Sequence, residues 1–262
     1  MPETTKEIVY AGHRFQYPSE TLIGRFLEAG RGWDTVLGTI IPALVPRKAP
    51  TMVEVGANIG ASTMQMLAAR PEAKIIAFEP STRFRPYLMR NLDLAGAHDV
   101  EVYPWAVGRV PGEIQLYNND STASVLSRDY GGGEFRGEDV VPVVTLDGLP
   151  VSRLDFLKVD TDGYEFEVLR GGETVLKTFR PVLHFEFATY LIPAPEEQLA
   201  WLQTLGYEKF LCLTPTGGRI GVTSDPEQAS AWAAAEESRY CDVVTCPPEN
   251  PNALTNVYEL LG

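Results

Sequence analysis

The sequence predicts an α/β chain built on a doubly wound, Rossmann-like and mostly parallel sheet. Three observations predict it. Thr51-Met-Val-Glu-Val-Gly-Ala-Asn-Ile-Gly60 is an apolar strand closed by glycines. A second acid, Glu79, ends the next strand candidate about twenty residues after that turn. From Met52 onward, period-two runs alternate regularly with stretches of helical periodicity. A strand, a glycine turn, a helix and a second strand ending in a carboxylate make half of a nucleotide-binding sheet, with the acid in reach of a ribose.

Taken in order, the chain begins with helical periodicity between about Ser19 and Val45. Leu22, Ile23, Phe26 and Leu27 form one apolar stripe and Val36, Leu37, Ile40, Ile41 and Leu44 another, broken at Gly30-Arg-Gly32. Residues 1–48 therefore read as a helical cap, and 49–262 as the sheet domain. Seven strands are expected: Met52 to Val55, Lys74 to Phe78, Val100 to Tyr103, Leu154 to Val159, Val182 to Phe187, Tyr207 to Leu213 and Cys241 to Thr245. Helices are expected near Ala61 to Ala69, Arg83 to Leu94, Tyr164 to Leu169 and Pro195 to Leu205. An insertion at 112–145 carries two short β-like runs, Glu113 to Tyr117 and Val140 to Val144. They are joined by a Ser-rich segment containing Gly131-Gly-Gly133, which reads as a β-hairpin with a loop at its tip. Arg219 to Glu237 is polar and Ala-rich and reads as a loop with a short helix.

A length of 262 residues suits one α/β domain with terminal decorations, and 44% hydrophobic content supports a sizeable core. The formal net charge is -13, from Asp+Glu 35 against Lys+Arg 22, with no basic run. Nucleic acid and anionic membrane surfaces are therefore not expected partners, because neutralising phosphates requires Lys and Arg. Cys212, Cys241 and Cys246 have neither metal-ligand spacing nor an even count. With no signal-peptide pattern and no apolar run of membrane-spanning length, a soluble cytoplasmic protein is the expectation.

The turn after the first strand narrows the ligand. A dinucleotide fingerprint starting at Gly56 wants glycine at 58, where Asn58 stands, and a small residue at 61, where Ala61 suits. Glu54, beside the turn, would repel a pyrophosphate but suits a ligand carrying an ammonium and a sulfonium, such as S-adenosylmethionine. An ordinary strand-to-helix connection with Glu54 at solvent accounts for the turn equally well.

Strand ends are where ligands bind on an open parallel sheet. In Leu157-Lys-Val-Asp-Thr-Asp-Gly-Tyr-Glu165, alternation places Phe156, Lys158 and Asp160 on one face, and a cation in a central strand requires a partner. Asp160 falls at the strand end and is a candidate functional acid. Asp162 with Glu165 reads as a helix capping pair. In Val182-Leu-His-Phe-Glu-Phe187, His184 and Glu186 share a face, and Glu186 is expected to meet Lys158, His184 or a ligand.

The segments Val53-Glu-Val-Gly-Ala-Asn-Ile-Gly60, Phe78-Glu-Pro80 and Leu157 to Glu165 with Leu169-Arg-Gly171, in that order, resemble the FkbM family of class I S-adenosylmethionine-dependent methyltransferases. Thr145-Leu-Asp147 and Glu186 also match, and the resemblance spans about Met52 to Phe187. It implies a seven-stranded sheet in the order 3-2-1-4-5-7-6 with the last strand antiparallel. It further implies O-methylation of natural products or sugars. By the same resemblance, Glu54, Gly56, Asn58 and Gly60 hold the methionine end of the cofactor, Glu79 takes the ribose hydroxyls, and Trp105-Ala106 contacts adenine. The family usually has glutamate where Asp162 stands.

A hydroxyl acceptor must lose its proton, and Asp160 and His184 are the candidate bases, with Glu186 in support. A divalent cation between Asp160 and Glu186 ranks below the metal-free reading. The expected substrate is a small or glycosylated hydroxyl compound, walled by the N-terminal helices and the segment Ser121 to Glu138, including Ser121, Ser124 and Tyr130. Two rivals stand beside this reading. One is a nicotinamide-dependent oxidoreductase, to which Asn58 is the main objection. The other is a sheet that binds a nucleoside or partner without turnover, which requires packed strand ends and no cleft beside Asn58. The exposed hairpin offers an edge for pairing with a second copy.

Overall fold

In the computed structural model, which describes residues 4–120, 122–126, 134–249 and 252–262, the chain opens with a β-hairpin. β1 (Thr5–Tyr10) and β2 (His13–Pro18) pair antiparallel around Ala11-Gly12. Both turn residues have positive φ, 48° and 84°, as a tight hairpin of right-twisted strands demands. Alternation turns Tyr10, Phe15 and Tyr17 inward, against Ile59, Phe84 and Leu88. Residues 1–48 read as a helical cap, with helical periodicity only from about Ser19 to Val45, so the hairpin ahead of it corrects that reading. The short strands and an Ala-Gly turn in place of the usual Asn-Gly or Asp-Gly conceal the hairpin in the sequence. Asn91 fastens it to the sheet domain: Oδ1 accepts from Gln16 N–H at 2.7 Å, and Nδ2 donates to Gln16 O and Ile59 O at 2.9 and 2.8 Å.

α1 (Leu22–Glu28) and α2 (Leu37–Leu44) follow the two apolar stripes. Thr21 caps α1, its hydroxyl accepting from Gly24 N–H at 3.0 Å. Then come β3 (Thr51–Val55), α3 (Ala61–Ala69), β4 (Lys74–Phe78), α4 (Arg85–Ala95) and β5 (Glu101–Tyr103). The insertion forms a second sheet from β6 (Ala106–Val107), β7 (Gly112–Asn118), β8 (Ala123–Ser124) and β9 (Gly137–Val144), in the order β6-β9-β7-β8. Its core is the expected hairpin, β7 with β9. Ser121, Tyr130 and Gly131 to Gly133 lie outside the described residues.

The chain continues with β10 (Phe156–Val159), α5 (Glu165–Arg170), α6 (Glu173–Phe179), β11 (Val182–Ala188), α7 (Pro195–Thr204) and β12 (Phe210–Leu213). It ends with β13 (Arg219–Thr223), α8 (Pro226–Ala235), β14 (Tyr240–Thr245) and α9 (Ala253–Leu260). The main sheet runs β5-β4-β3-β10-β11-β14-β12-β13. β3, β4, β5, β10 and β11 are parallel, and β14 is antiparallel to both β11 and β12. The sheet thus has eight strands rather than the expected seven. The eighth, β13, is an edge strand whose polar, glycine-containing sequence reads as a loop, with Gly221 lying against the Trp232 ring.

Period-two alternation divides the core. Val53, Val55, Phe78, Leu157, Val159, Phe185 and Phe187 face α5, α6, α7 and α8. Met52, Ile75, Phe156, Val182, Leu211 and Val244 face α2, α3 and α9. Each such buried side chain stabilises the fold by about 1.5–3 kcal/mol. Toward the carboxyl ends of the strands, the second face changes from apolar to polar, and there the candidate site lies. No helix among the described residues is long and apolar enough to cross a membrane.

Candidate active site

Strand register brings the polar residues together in two rows. Lys158 stands beside Glu54 of β3 on one side and His184 of β11 on the other. Two residues further along, Glu186 stands beside Asp242 of β14. Asp160 follows β10 directly, its N–H donating to Val55 O at 3.0 Å. Lys158 is almost fully buried, and its Nζ donates to Asp160 Oδ2 at 2.9 Å and pairs with Asp34 Oδ2 at 3.3 Å. Burial alone would depress this ammonium, but Asp160, Asp34 and Glu54 together raise its pKa well above the ordinary value. The predicted need for a partner is therefore met by Asp160 and by Asp34, a residue that sequence reasoning missed, and not by Glu186.

Glu54 corrects an expectation. It does not line the cleft; it is fully buried beneath the turn, where it accepts from Ser62 Oγ and, at 2.5 Å, from Thr63 Oγ1. Its register explains this: Glu54 stands level with Lys158 and His184, one row short of Glu186, which lines the cleft from the same face. Burial raises its pKa, against Lys158 and the two hydroxyls. Gly60 is also off the cleft: it precedes α3 and lies against Leu88 of α4.

Gly56 and Asn58 do line the cleft. Gly56 has φ 87°, and a Cβ there would lie 1.8 Å from the Asp160 carbonyl oxygen, so the β3 turn and the end of β10 approach at a distance only glycine permits. Asn58 has φ 50°, and its own Oδ1 accepts from Ile59 N–H at 2.8 Å. Asp34 and Asp162, with φ 52° and 55°, also line the cleft in left-handed conformations. Such strained positions cluster at ligand sites.

On the β4 side, Glu79 is buried at the cleft wall. Its Oε2 accepts from Asn58 N–H at 2.6 Å and its Oε1 from Ser81 N–H at 2.8 Å. Burial pushes its pKa up to about 7, against those two donors. Trp105 and Ala106 line the same end, with Trp105 stacked on Tyr103 at 4.7 Å between ring centroids and 24° between planes. The structure thus gathers an acid and an aromatic face on the β4 and β5 side of the cleft.

On the opposite side are Asp160, Asp162, Glu186, Tyr190, Tyr240 and Asp242. Asp162 is not the helix cap that its spacing from Glu165 suggested: it accepts from Thr122 Oγ1 across the cleft, and no side chain caps α5 at Tyr164. Glu165 instead folds the turn, its Oε1 accepting from Thr161 N–H, Thr161 Oγ1 and Gly163 N–H at 2.8, 3.0 and 3.1 Å. Glu186 Oε2 is enclosed, with no hydrogen-bond partner among the described residues. Burial, then repulsion from Asp160, raises the Glu186 pKa well above the carboxylate range, and burial does the same for Asp242.

His184 is off the cleft as well. It is 2% exposed, neither ring nitrogen has a hydrogen-bond partner among the described residues, and burial with the adjacent Lys158 lowers its pKa to about 3. A ring so enclosed and so weakly basic does not serve as the base at the cleft, which corrects its candidacy. Ser124, offered as a wall residue, is buried and accepts from Leu126 N–H at 3.1 Å, while Thr122, Ala123 and Val125 form that wall. From the N-terminal segment Leu22, Ile23, Trp33 and Asp34 form another.

The cleft has a volume of about 250 Å³, and its described lining holds six carboxylates, Asp34, Glu79, Asp160, Asp162, Glu186 and Asp242, with no Lys, Arg or His. That donor set fits the sulfonium and ammonium of S-adenosylmethionine and opposes a pyrophosphate. No three His, Cys, Asp or Glu side chains among the described residues are grouped so as to hold a metal ion.

Residues 54–209 match the model of the Methyltransferase FkbM domain. The chain is similar to Methyltransferase 1 of Beauveria bassiana (strain ARSEF 2860), at 29% identity over 46% of this chain and 57% of that protein. It is also similar to Methyltransferase sdnD of Sordaria araneosa, at 31% identity over 47% of this chain and 60% of that protein. The chain thus spans less than two thirds of the length of these curated relatives. Among solved structures, a methyltransferase FkbM from Methylobacillus flagellatus KT aligns with a TM-score of 0.49 and 15% identity, over 76% of this chain and 44% of that one. With the family model covering more than half of its residues, the chain belongs to the FkbM methyltransferase family.

Proposed function

We propose that this chain transfers a methyl group from S-adenosylmethionine to a hydroxyl of a small molecule, natural product or sugar. The observation that carries the reading is a cleft, beside Asn58, whose described lining holds six carboxyl side chains and no basic one. When bound, S-adenosylmethionine supplies an electrophilic methyl carbon on a good leaving group.

The chain's own residues then have three tasks. Glu79 accepts the ribose hydroxyls, and the Trp105 ring offers a face to adenine. Asp160, a third exposed and anchored through Oδ2 to Lys158, keeps its other oxygen for the proton that the acceptor hydroxyl loses. The walls from Leu22, Ile23 and Trp33 and from Ala123 and Val125 hold the acceptor against Asp160 and exclude water. Such positioning contributes about 7–11 kcal/mol in favourable cases.

Calorimetry with S-adenosylhomocysteine tests the reading. Saturable binding, with no fluorescence response to NADH, is the expected result. The absence of heat at millimolar ligand with folded protein refutes it, and NADH binding in its place favours the oxidoreductase.

A further inference from the structure

The cleft has two ends on either side of the boundary between β3 and β10, the crevice where ligands sit on open parallel sheets. Glu79, Asn58 and Trp105 serve one end, and the nucleoside accounts for them. Glu186 and Asp242 belong to the other, on β11 and β14, two strands that no cofactor contact requires. They are adjacent in register, Glu186↔Asp242, and both line the cleft. Glu186 Oε2 is enclosed and finds no hydrogen-bond partner among the described residues. A buried acceptor left unsatisfied is costly, and its pairing with a second carboxylate compounds the cost.

Lys158, the cation buried in the sheet, is already engaged by Asp160 and Asp34. Arg239 lies over the outer Tyr190 ring, 5.3 Å from its centroid. Tyr240, whose pKa is raised by burial and then by Glu186 and Asp242, keeps its hydroxyl proton and adds an aromatic wall. A protonated amine supplies what this end lacks: several N–H donors for the orphaned oxygen and a positive charge between two acids, with an aromatic ring beside it.

We propose that the methyl acceptor carries a protonated amine, held by Glu186 and Asp242, which presents a neighbouring hydroxyl to Asp160. This rests on the methyl-donor reading above. Anionic acceptors such as phosphorylated or carboxylated compounds are correspondingly disfavoured by the same wall.

The test uses the full chain saturated with S-adenosylhomocysteine at pH 7 and constant ionic strength. Thermal unfolding is followed with two small probes of similar shape. Tris(hydroxymethyl)aminomethane carries an ammonium and hydroxyls; pentaerythritol carries hydroxyls alone. The cation is expected to raise Tm with a half-maximal concentration at least tenfold below that of the neutral probe. In the isosteric double variant Glu186→Gln/Asp242→Asn, again saturated with S-adenosylhomocysteine, the tenfold advantage is expected to vanish. Equal effects of the two probes, no effect of either, or an advantage that survives in the variant overturns the proposal. Failure of S-adenosylhomocysteine itself to bind refutes the donor reading instead, and this proposal with it.

Discussion

Lys158 Nζ donates to Asp160 Oδ2 over 2.9 Å, joining a lysine whose side chain is 2% exposed to an aspartate that is 33% exposed at the cleft edge. The buried cation holds the anion in place, and Asp34 and Glu54 share the same charge. Lys158→Met removes the cation and leaves the acids unpaired, so urea unfolding at pH 7 is expected to show a loss of about 3–5 kcal/mol. Asp34 and Glu54 have raised pKa values even with Lys158 present. Raised acids lose stability as pH rises, so the variant's deficit is expected to shrink on acidification.

Asp160→Asn keeps the shape of the cleft edge and removes the proton acceptor. Once an acceptor is in hand, kcat is expected to fall about 10²- to 10⁴-fold, with S-adenosylhomocysteine affinity changed less than fivefold. Equal losses in binding and turnover would assign Asp160 to the cofactor instead.

His184→Leu is expected to leave kcat within about threefold, because the ring is off the cleft and its pKa is lowered to about 3. The linkage gives a second readout. The unfolded chain binds a proton at this residue below about pH 6.5, where the folded chain binds none until about pH 3. The wild type therefore loses stability at this group as pH falls through that window, and the variant is expected to lose less on the same acidification. A hundredfold loss of kcat in the variant would restore His184 as a catalytic candidate.

Glu79 carries a pKa raised to about 7 by burial. At this group the ligand-free protein loses stability as pH rises from the ordinary carboxylate value through about 7, since the unfolded chain releases its proton first. Ribose hydroxyls donating to the carboxylate favour its ionised form, so binding is expected to release up to one proton. Calorimetry in buffers of different ionisation enthalpy reads that proton directly. Affinity for S-adenosylhomocysteine should rise about five- to tenfold between pH 6 and 8, and Glu79→Gln should abolish both effects.

What the sequence made legible was local. The turn from Thr51 to Gly60 and the acid at Glu79 are contiguous motifs, and the helix Ala61–Ala69 and the strand Lys74–Phe78 have their expected bounds. Period two placed Lys158, His184 and Glu186 on one face, as observed. It does not distinguish the row beneath the cleft from the row facing it, so His184 reads as a cleft residue beside Glu186, while Glu54 reads as one from its place beside the turn. Asp34 comes to Lys158 from a loop more than a hundred positions earlier, and no spacing announces that. Asp242 was within reach: the same alternation applied to the last strand puts Tyr240, Asp242 and Val244 on one side.

In the proposed function, this cleft holds the methyl donor by its ribose, with adenine against Trp105. A crystal structure of the chain with S-adenosylhomocysteine tests it most directly. The expected density has the ribose hydroxyls on the Glu79 carboxylate, adenine against Trp105 and the sulfur toward Asp160. A cleft left empty at saturating ligand, or the nucleoside bound away from Glu79, would contradict it.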